Sequence, residues 1–432
     1  MLKKEGYRAR VADQLIEDAL DGFGAVCIEG AKWCGKTWTT LNHAKSIVYI
    51  GDPAGNFQNR RLAQLNPSII LRGDEPRAID EWQDAPQIWD AVRHEVDTSE
   101  KKGRFLLTGS AMPLQEATTH SGAGRIARIK MRPMTLAEIG ESSSEISLVD
   151  LFAGKVEDCV ADVTLEKLIE FVCRGGWPGN QDKSMNIALQ VPKQYIQAIV
   201  ETDMVKMGER KRDISKINRL LQSLARNNQT AANNRTLISD MIGENSEERG
   251  LSELTVPKYI ADLEKLFVIE EQRAWNPKLR SKTRMRTKPK RRFVDPSLAV
   301  AVLGANPDAL INDLETFGFM FESMCIRDIT VYAEALGGQV YYYADNTGLE
   351  ADVIVEMPDG SWGAIEIKLG ANQIDQAASS LLTLKKKMTS AEMKPPSFLA
   401  VFCGLSNYGY KREDGVIVVP VNCFGGTEKQ DT

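Results

Sequence analysis

Gly24-Ala25-Val26-Cys27-Ile28-Glu29 runs without a break into Gly30-Ala31-Lys32-Trp33-Cys34-Gly35-Lys36-Thr37. The first six residues have the length and apolar content of a buried strand, the next eight spell G-x-x-x-x-G-K-T, and a helical pattern follows. That order is the setting in which such a loop binds nucleotide phosphates. Glycines at 30 and 35 let the backbone curl so that its N–H groups point inward, and the helix N-terminus adds positive potential. Lys36 is expected to reach the β and γ phosphates, while the Thr37 hydroxyl holds Mg²⁺. Residues 30–37 are therefore the expected ATP-binding loop.

Working outward, residues 46–50, 77–80 and 104–108 are further short apolar runs alternating with helical patterns. This alternation predicts an α/β domain built on a parallel sheet. The run Arg77-Ala78-Ile79 ends in adjacent carboxylates, Asp80 on the metal side and Glu81 as the base that takes a proton from an attacking water. Phe105-Leu106-Leu107 delivers Thr108, Gly109 and Ser110 to the same sheet edge, where a hydroxyl senses the γ phosphate or positions water. Arg125, Arg128 and Arg132 are candidates for an arginine finger, with Arg128 the chosen one. The competing reading of these three is a plain basic surface cluster.

The whole chain bounds these readings. Its 432 residues suggest two or three domains. An apolar share of 43% and a charged share of 26% are ordinary for a globular protein, and no apolar run approaches the ~18 residues of a membrane span. The seven cysteines stand singly, without a C-x-x-C pair, and there are only three histidines. A disulfide framework, a structural zinc site and histidine-based metal chemistry are thereby disfavoured. A charged N-terminus without an apolar segment predicts no secretory signal, so a cytoplasmic location is expected, with no membrane partner.

The serine-rich stretch 140–147 marks a boundary, giving expected domains at 1–145, 146–300 and 301–432. In the middle, helix 236–242, helix 255–267 and the strand-like 267–269 follow the order helix, turn, helix, wing. Residues 273–292 hold ten basic side chains and no acidic one. Within them Lys278, Arg280, Lys282, Arg284, Arg286, Lys288 and Lys290 alternate with neutral residues, which on an extended chain makes one face suited to tracking DNA phosphates. A solvated loop is the alternative. Near the C-terminus Asp352 lies on one expected strand and Glu366-Ile367-Lys368 on the next. Asp352 and Glu366 are positioned to share a Mg²⁺ ion, Lys368 to steady water or phosphate, and Glu322 on the preceding helix to add a third carboxylate.

Several strings resemble one group. These are residues 30–38, Ile79-Asp80-Glu81-Trp82-Gln83, Leu107-Thr108-Gly109-Ser110-Ala111, Gly124-Arg125 and Arg132-Pro133-Met134, together with Gly175-Gly176-Trp177-Pro178, Phe293-Val294-Asp295-Pro296-Ser297-Leu298 and Phe321-Glu322. They look like the prokaryotic AAA-type ATPases that carry a C-terminal domain of unknown function. The resemblance covers nearly the whole chain and implies an α/β P-loop AAA-type domain, a winged-helix segment in a helical middle, and an α+β C-terminal domain of restriction-endonuclease type. The order Glu322, Asp352, Glu366-x-Lys368 resembles the PD-(D/E)-x-K nucleases, with Ala351 where proline is usual. The expected protein is a Mg-dependent ATPase acting on or at DNA with a metal-dependent nuclease domain, and the pattern is compatible with a homo-oligomer. Two other classes fit the same residues: a nucleotide-switched regulatory protein with an inactive nuclease fold, and a partner-binding scaffold ATPase.

Overall fold

Strand β1 (Ala25–Gly30) and strand β4 (Phe105–Gly109) are buried along their entire length, as the apolar runs require of strands covered on both faces. In the computed structural model, which describes residues 2–111, 120–207, 212–242, 251–276 and 287–426, they lie at the centre of a five-stranded, wholly parallel sheet. Its other strands are β2 (Ser46–Tyr49), β3 (Arg77–Asp80) and β5 (Ile126–Met131), in the order β2-β3-β4-β1-β5. Because β4 separates β1 from β3, the loop after β1, the carboxylates ending β3 and the hydroxyls ending β4 open on one sheet edge, where parallel sheets place ligands. Ile79, Trp82, Trp89, Val92, Phe105 and Leu107 form part of the core on one side.

The described residues divide into two compact units, Met1–Pro133 with Lys265–Phe267, and Met134–Glu264 with Val268–Thr432. The expected boundary at 145 thus moves to 133, and the one expected at 300 is not a break between units. The reason is a set of long-range bonds. The Met134 amide donates to the Gly176 carbonyl at 2.6 Å, and the Leu136 amide donates to Asp328 at 2.9 Å. Short strands β6 (Ile146–Ser147) and β7 (Cys159–Val160) also pair with strands from the far end of the chain.

In the second unit, helices Ile214–Arg226, Asn234–Met241 and Val256–Lys265 precede an antiparallel ribbon of β8 (Ile269–Gln272) and β9 (Lys290–Phe293). The long helix Leu314–Ala335 then leads into β10 (Gln339–Ala344), β11 (Glu350–Glu356) and β12 (Trp362–Lys368). Helix Ile374–Ser390 packs Ala377, Leu381 and Leu384 onto the sheet that β13 (Phe398–Cys403), β14 (Tyr408–Lys411) and β15 (Ile417–Pro420) complete. The order is β10-β11-β12-β13-β15-β14-β7, and a short strand β16 (Phe424–Gly425) pairs with β6.

Gly175-Gly176-Trp177 and residues 293–298 meet in a buried knot. Asp295, fully buried, accepts from the Gly176 amide at 2.9 Å and from Arg327 at 2.7 Å, and Trp177 donates to the Ser297 hydroxyl at 2.9 Å. A Cβ on Gly176 would lie 2.1 Å from the Met134 carbonyl oxygen, so backbone approach fixes that glycine. These motif residues hold the fold together.

Candidate nucleotide and carboxylate sites

Gly30 leaves β1 with φ +157°, and a Cβ there would sit 2.1 Å from the Met131 carbonyl oxygen on the neighbouring strand. Gly35, at φ +106°, caps helix Lys36–His43. Between them Ala31 and Cys34 are buried, and Trp33 takes the left-handed conformation at φ 65° with its ring about half exposed. Lys36 is buried, and its ammonium donates to the carbonyls of Gly30 at 3.0 Å and Ala31 at 2.7 Å, so it lies inside the curl of its own loop. The Arg10 guanidinium braces the loop from outside, donating to the Cys34 carbonyl at 2.9 Å and to the Arg132 carbonyl at 2.7 Å.

The Thr37 hydroxyl donates to Asp80 Oδ1 at 2.8 Å, and the Thr108 hydroxyl donates to the same oxygen at 2.7 Å. Burial raises the Asp80 carboxyl while these hydroxyls pull it back. A hydroxyl and a carboxylate oxygen side by side are the hard donors that magnesium takes, so Thr37 and Asp80 fit the expected ion. Glu81 sits at φ 57°, a left-handed conformation that costs a non-glycine residue ~1–2 kcal/mol. Its amide donates to Thr108 Oγ1 at 3.1 Å, and its carboxylate accepts from the Ser110 hydroxyl at 2.8 Å and from the Gln83 amide. The strained turn therefore aims the base back toward the end of β4.

Arg128 is already engaged. It pairs with Glu29 at 2.6 Å and its guanidinium lies 4.5 Å from the Trp89 ring centroid. Arg125 pairs with Asp97 at 2.7 Å, and Arg132 is buried. Arg10 and Glu29 were not anticipated. Glu29 carried a signal, an acid at the end of an apolar strand directly before the loop, whereas Arg10 is tied in only by tertiary packing.

In the second unit, Asp352 on β11 stands opposite Glu366 on β12, one position beyond the Val353–Ile365 pair. Lys368 bonds both, at 2.6 Å to Glu366 and 3.4 Å to Asp352, and Asp352 also accepts from the Ile367 amide at 2.8 Å. Glu322, from helix Leu314–Ala335, faces this pair closely enough that Asp352 and Glu366 raise its proton affinity. Burial first and the Asp352 charge second push both Glu322 and Glu366 up to about 8. Glu322 Oε1 is buried without a hydrogen-bond partner. A cavity of about 570 Å³, bounded in part by Phe319, Glu322, Lys368 and Gln373, opens beside them. Three oxygen donors and an unsatisfied buried oxygen suit Mg²⁺ chemically. Among the described residues, however, no three His, Cys, Asp or Glu side chains already stand as a metal cage. Lys368 lies between Asp352 and Glu366 instead.

The basic block departs from its expected form. Residues 278–286 lie outside the described residues. Lys290 does not line an open ribbon: it is largely buried, 3.7 Å from Glu322 and 5.3 Å from the Tyr342 ring centroid. Arg291 and Arg292 pair across the ribbon with Glu271 and Glu270.

Comparison with known proteins accords with the first unit. Residues 23–140 match the sequence model described as "AAA domain", residues 165–309 a domain of unknown function (DUF8612) and residues 317–424 another (DUF4143). Uncharacterized proteins of Mycobacterium bovis and Mycobacterium tuberculosis are each 22% identical over 96% of this chain and 86% of their own length. Among solved structures, a Walker-type ATPase of Pyrococcus abyssi aligns over 70% of this chain and 97% of its own at 13% identity and a TM-score of 0.43. The ORC2 protein of Aeropyrum pernix, solved in ADPNP–ADP complexes, aligns over 72% and 97% at 13% identity and 0.34. Among the described residues no helix is long and apolar enough to cross a membrane. The family match, the parallel sheet and the phosphate loop together make residues 23–140 a P-loop ATPase domain of AAA type.

Proposed function

We propose that this chain binds and hydrolyses Mg·ATP and acts on or at DNA, with the Asp352, Glu366 and Lys368 cluster as a metal-dependent phosphodiester-cleaving site. The observation that carries the ATPase reading is the continuous chain Thr37–Asp80–Thr108–Glu81–Ser110, which links the phosphate loop, the metal-side acid and the base across three strand ends. In this reading Lys36 exchanges the Gly30 and Ala31 carbonyls for the β and γ phosphates. The loop amides hold the remaining phosphate oxygens. Magnesium, held by Thr37 with Asp80 beside it, would supply charge neutralisation at the phosphates. Glu81, steadied by Ser110 and Gln83, takes the proton of the attacking water at its carboxylate. Arg128 remains the proposed finger, freed from Glu29 to meet charge developing on the transferred phosphoryl group.

The DNA reading rests on the order of acids and lysine in the C-terminal sheet, on the winged-helix order of the middle helices and ribbon, and on the basic composition of residues 273–292. Mg²⁺- or Mn²⁺-dependent nicking of linear, branched and single-stranded DNA, with and without ATP, tests it. Asp352→Ala and Glu366→Ala should each abolish cleavage, with little further loss in the double variant, because residues acting as a unit are not additive. DNA binding without cleavage by wild type favours the second reading, a nucleotide-switched DNA-binding protein with an inactive nuclease fold. That reading has its own support in the Lys368 ammonium lying between the two acids. No nucleotide-dependent DNA binding in any form overturns the DNA assignment.

A further inference from the structure

The ribbon β8–β9 is bolted to the sheet that carries the carboxylates. Gln272 Nε2 donates to the carbonyls of Tyr341 and Asp352, both at 2.9 Å, and receives the Gln229 amide at 2.6 Å on its own oxygen. Main-chain bonds join Trp275 to Tyr342 at 2.6 Å and Tyr342 to Arg273 at 3.1 Å, and the Tyr342 hydroxyl donates to the Lys288 carbonyl. This docking fixes where β9 begins, and its first residue, Lys290, lies 3.7 Å from Glu322. Lys290 has only 12% of its side chain exposed and makes no ladder of surface charge with its neighbours. The carboxylate group therefore contains two ammonium ions from different elements, Lys368 from β12 and Lys290 from the ribbon, against three acids. Glu322 Oε1 still lacks a hydrogen bond, because 3.7 Å is an ion-pair distance and too long for one.

We infer that Lys290 is a positioning residue of the carboxylate site: it neutralises Glu322 while no divalent cation is bound, yields Glu322 to that cation, and then serves a phosphate of the nucleic-acid backbone. The inference rests on the proposed metal-dependent reading of this site. Its physical content is a competition between two cations for one carboxylate. Removing the ammonium should help one ligand and harm the other, which loss of a structural strut does not do.

The test uses full-length wild type, Lys290→Met and Lys290→Arg. Mn²⁺ binding is measured by calorimetry, duplex DNA binding in Ca²⁺ by fluorescence anisotropy across a salt series, and folding by thermal melting. Lys290→Met should bind Mn²⁺ roughly three- to tenfold more tightly, since a like charge has left the site. It should also bind DNA more weakly, with a log K against log salt slope shallower by about 0.9, one phosphate contact. Lys290→Arg should behave as wild type in both assays. Wild-type binding of both ligands with either arm unmoved in Lys290→Met overturns the inference and leaves the proposed nuclease reading standing. Joint loss of Mn²⁺ affinity and melting temperature also overturns it, assigning Lys290 to the scaffold. Wild type that binds no Mn²⁺ refutes the metal reading and this inference together.

Discussion

Replacing Arg10 by methionine keeps the length of the side chain and removes the guanidinium that ties the phosphate loop to the end of β5. The two bonds lost, to the Cys34 and Arg132 carbonyls, come from a charged donor that is 8% exposed. Hydrogen bonds from charged groups contribute about 1.5–3 kcal/mol each. Water entering the gap recovers part of this, so a total loss of about 2–4 kcal/mol is expected. Cys34 lies within the loop, so part of that loss must fall on the loop's curled state. If about 1.4 kcal/mol does, ATP affinity drops roughly tenfold. Titration with a fluorescent ATP analogue in Mg²⁺, beside a thermal melt, separates the two shares. Arg10→Lys, which keeps a charge but not the two-pronged geometry, should fall between. Wild-type ATP affinity in a folded Arg10→Met variant would refute the bracing argument.

Asp13 accepts from the Tyr7 hydroxyl at 2.7 Å, from the Arg10 amide at 2.8 Å and pairs with His43 at 2.8 Å. Burial alone would raise its carboxyl, but these bonds outweigh it and hold the group below its ordinary value. A depressed carboxyl contributes stability above its unfolded value and loses it as pH falls through the folded value. The first unit should therefore lose an increment of melting temperature below about pH 4, and Asp13→Asn should remove that increment; a parallel acid profile for both proteins would contradict it. In the second unit, Arg327→Met leaves Asp295 and Asp328 buried without their cation and should cost about 3–5 kcal/mol. Denaturant unfolding reads this directly, and a loss under about 1 kcal/mol would remove the knot from its structural role.

Local patterns were legible in the sequence and long-range pairings were not. The phosphate loop could be read because its strand, glycines and helix start are contiguous, and Asp80, Glu81 and Thr108 because each ends a recognisable apolar run. The strand order could not, since nothing local says that β1 lies between β4 and β5. Strand β5 itself, Ile126-Ala127-Arg128-Ile129-Lys130-Met131, is interrupted by basic residues that draw attention to chemistry rather than to pairing. Its Arg128 spends its charge on Glu29 in the structure. Asp352, Glu366 and Lys368 fell together as the two-residue period of neighbouring strands requires. Lys290 was read as one tooth of an exposed comb because periodicity cannot reveal that a neighbouring helix supplies Glu322. The same limit hid Arg10, whose partners are main-chain carbonyls 24 and 122 residues away.

The central claim is that the first unit is an ATPase whose base is Glu81. Steady-state ATP hydrolysis and equilibrium ATP binding of wild type, Lys36→Ala and Glu81→Gln, in Mg²⁺ and in EDTA, test it most directly. Wild type should hydrolyse ATP only with Mg²⁺, Lys36→Ala should lose binding, and Glu81→Gln should bind as wild type while turnover falls by about 10²-fold or more. Equal hydrolysis rates for wild type and Glu81→Gln, or a wild type that binds no ATP, would contradict the account.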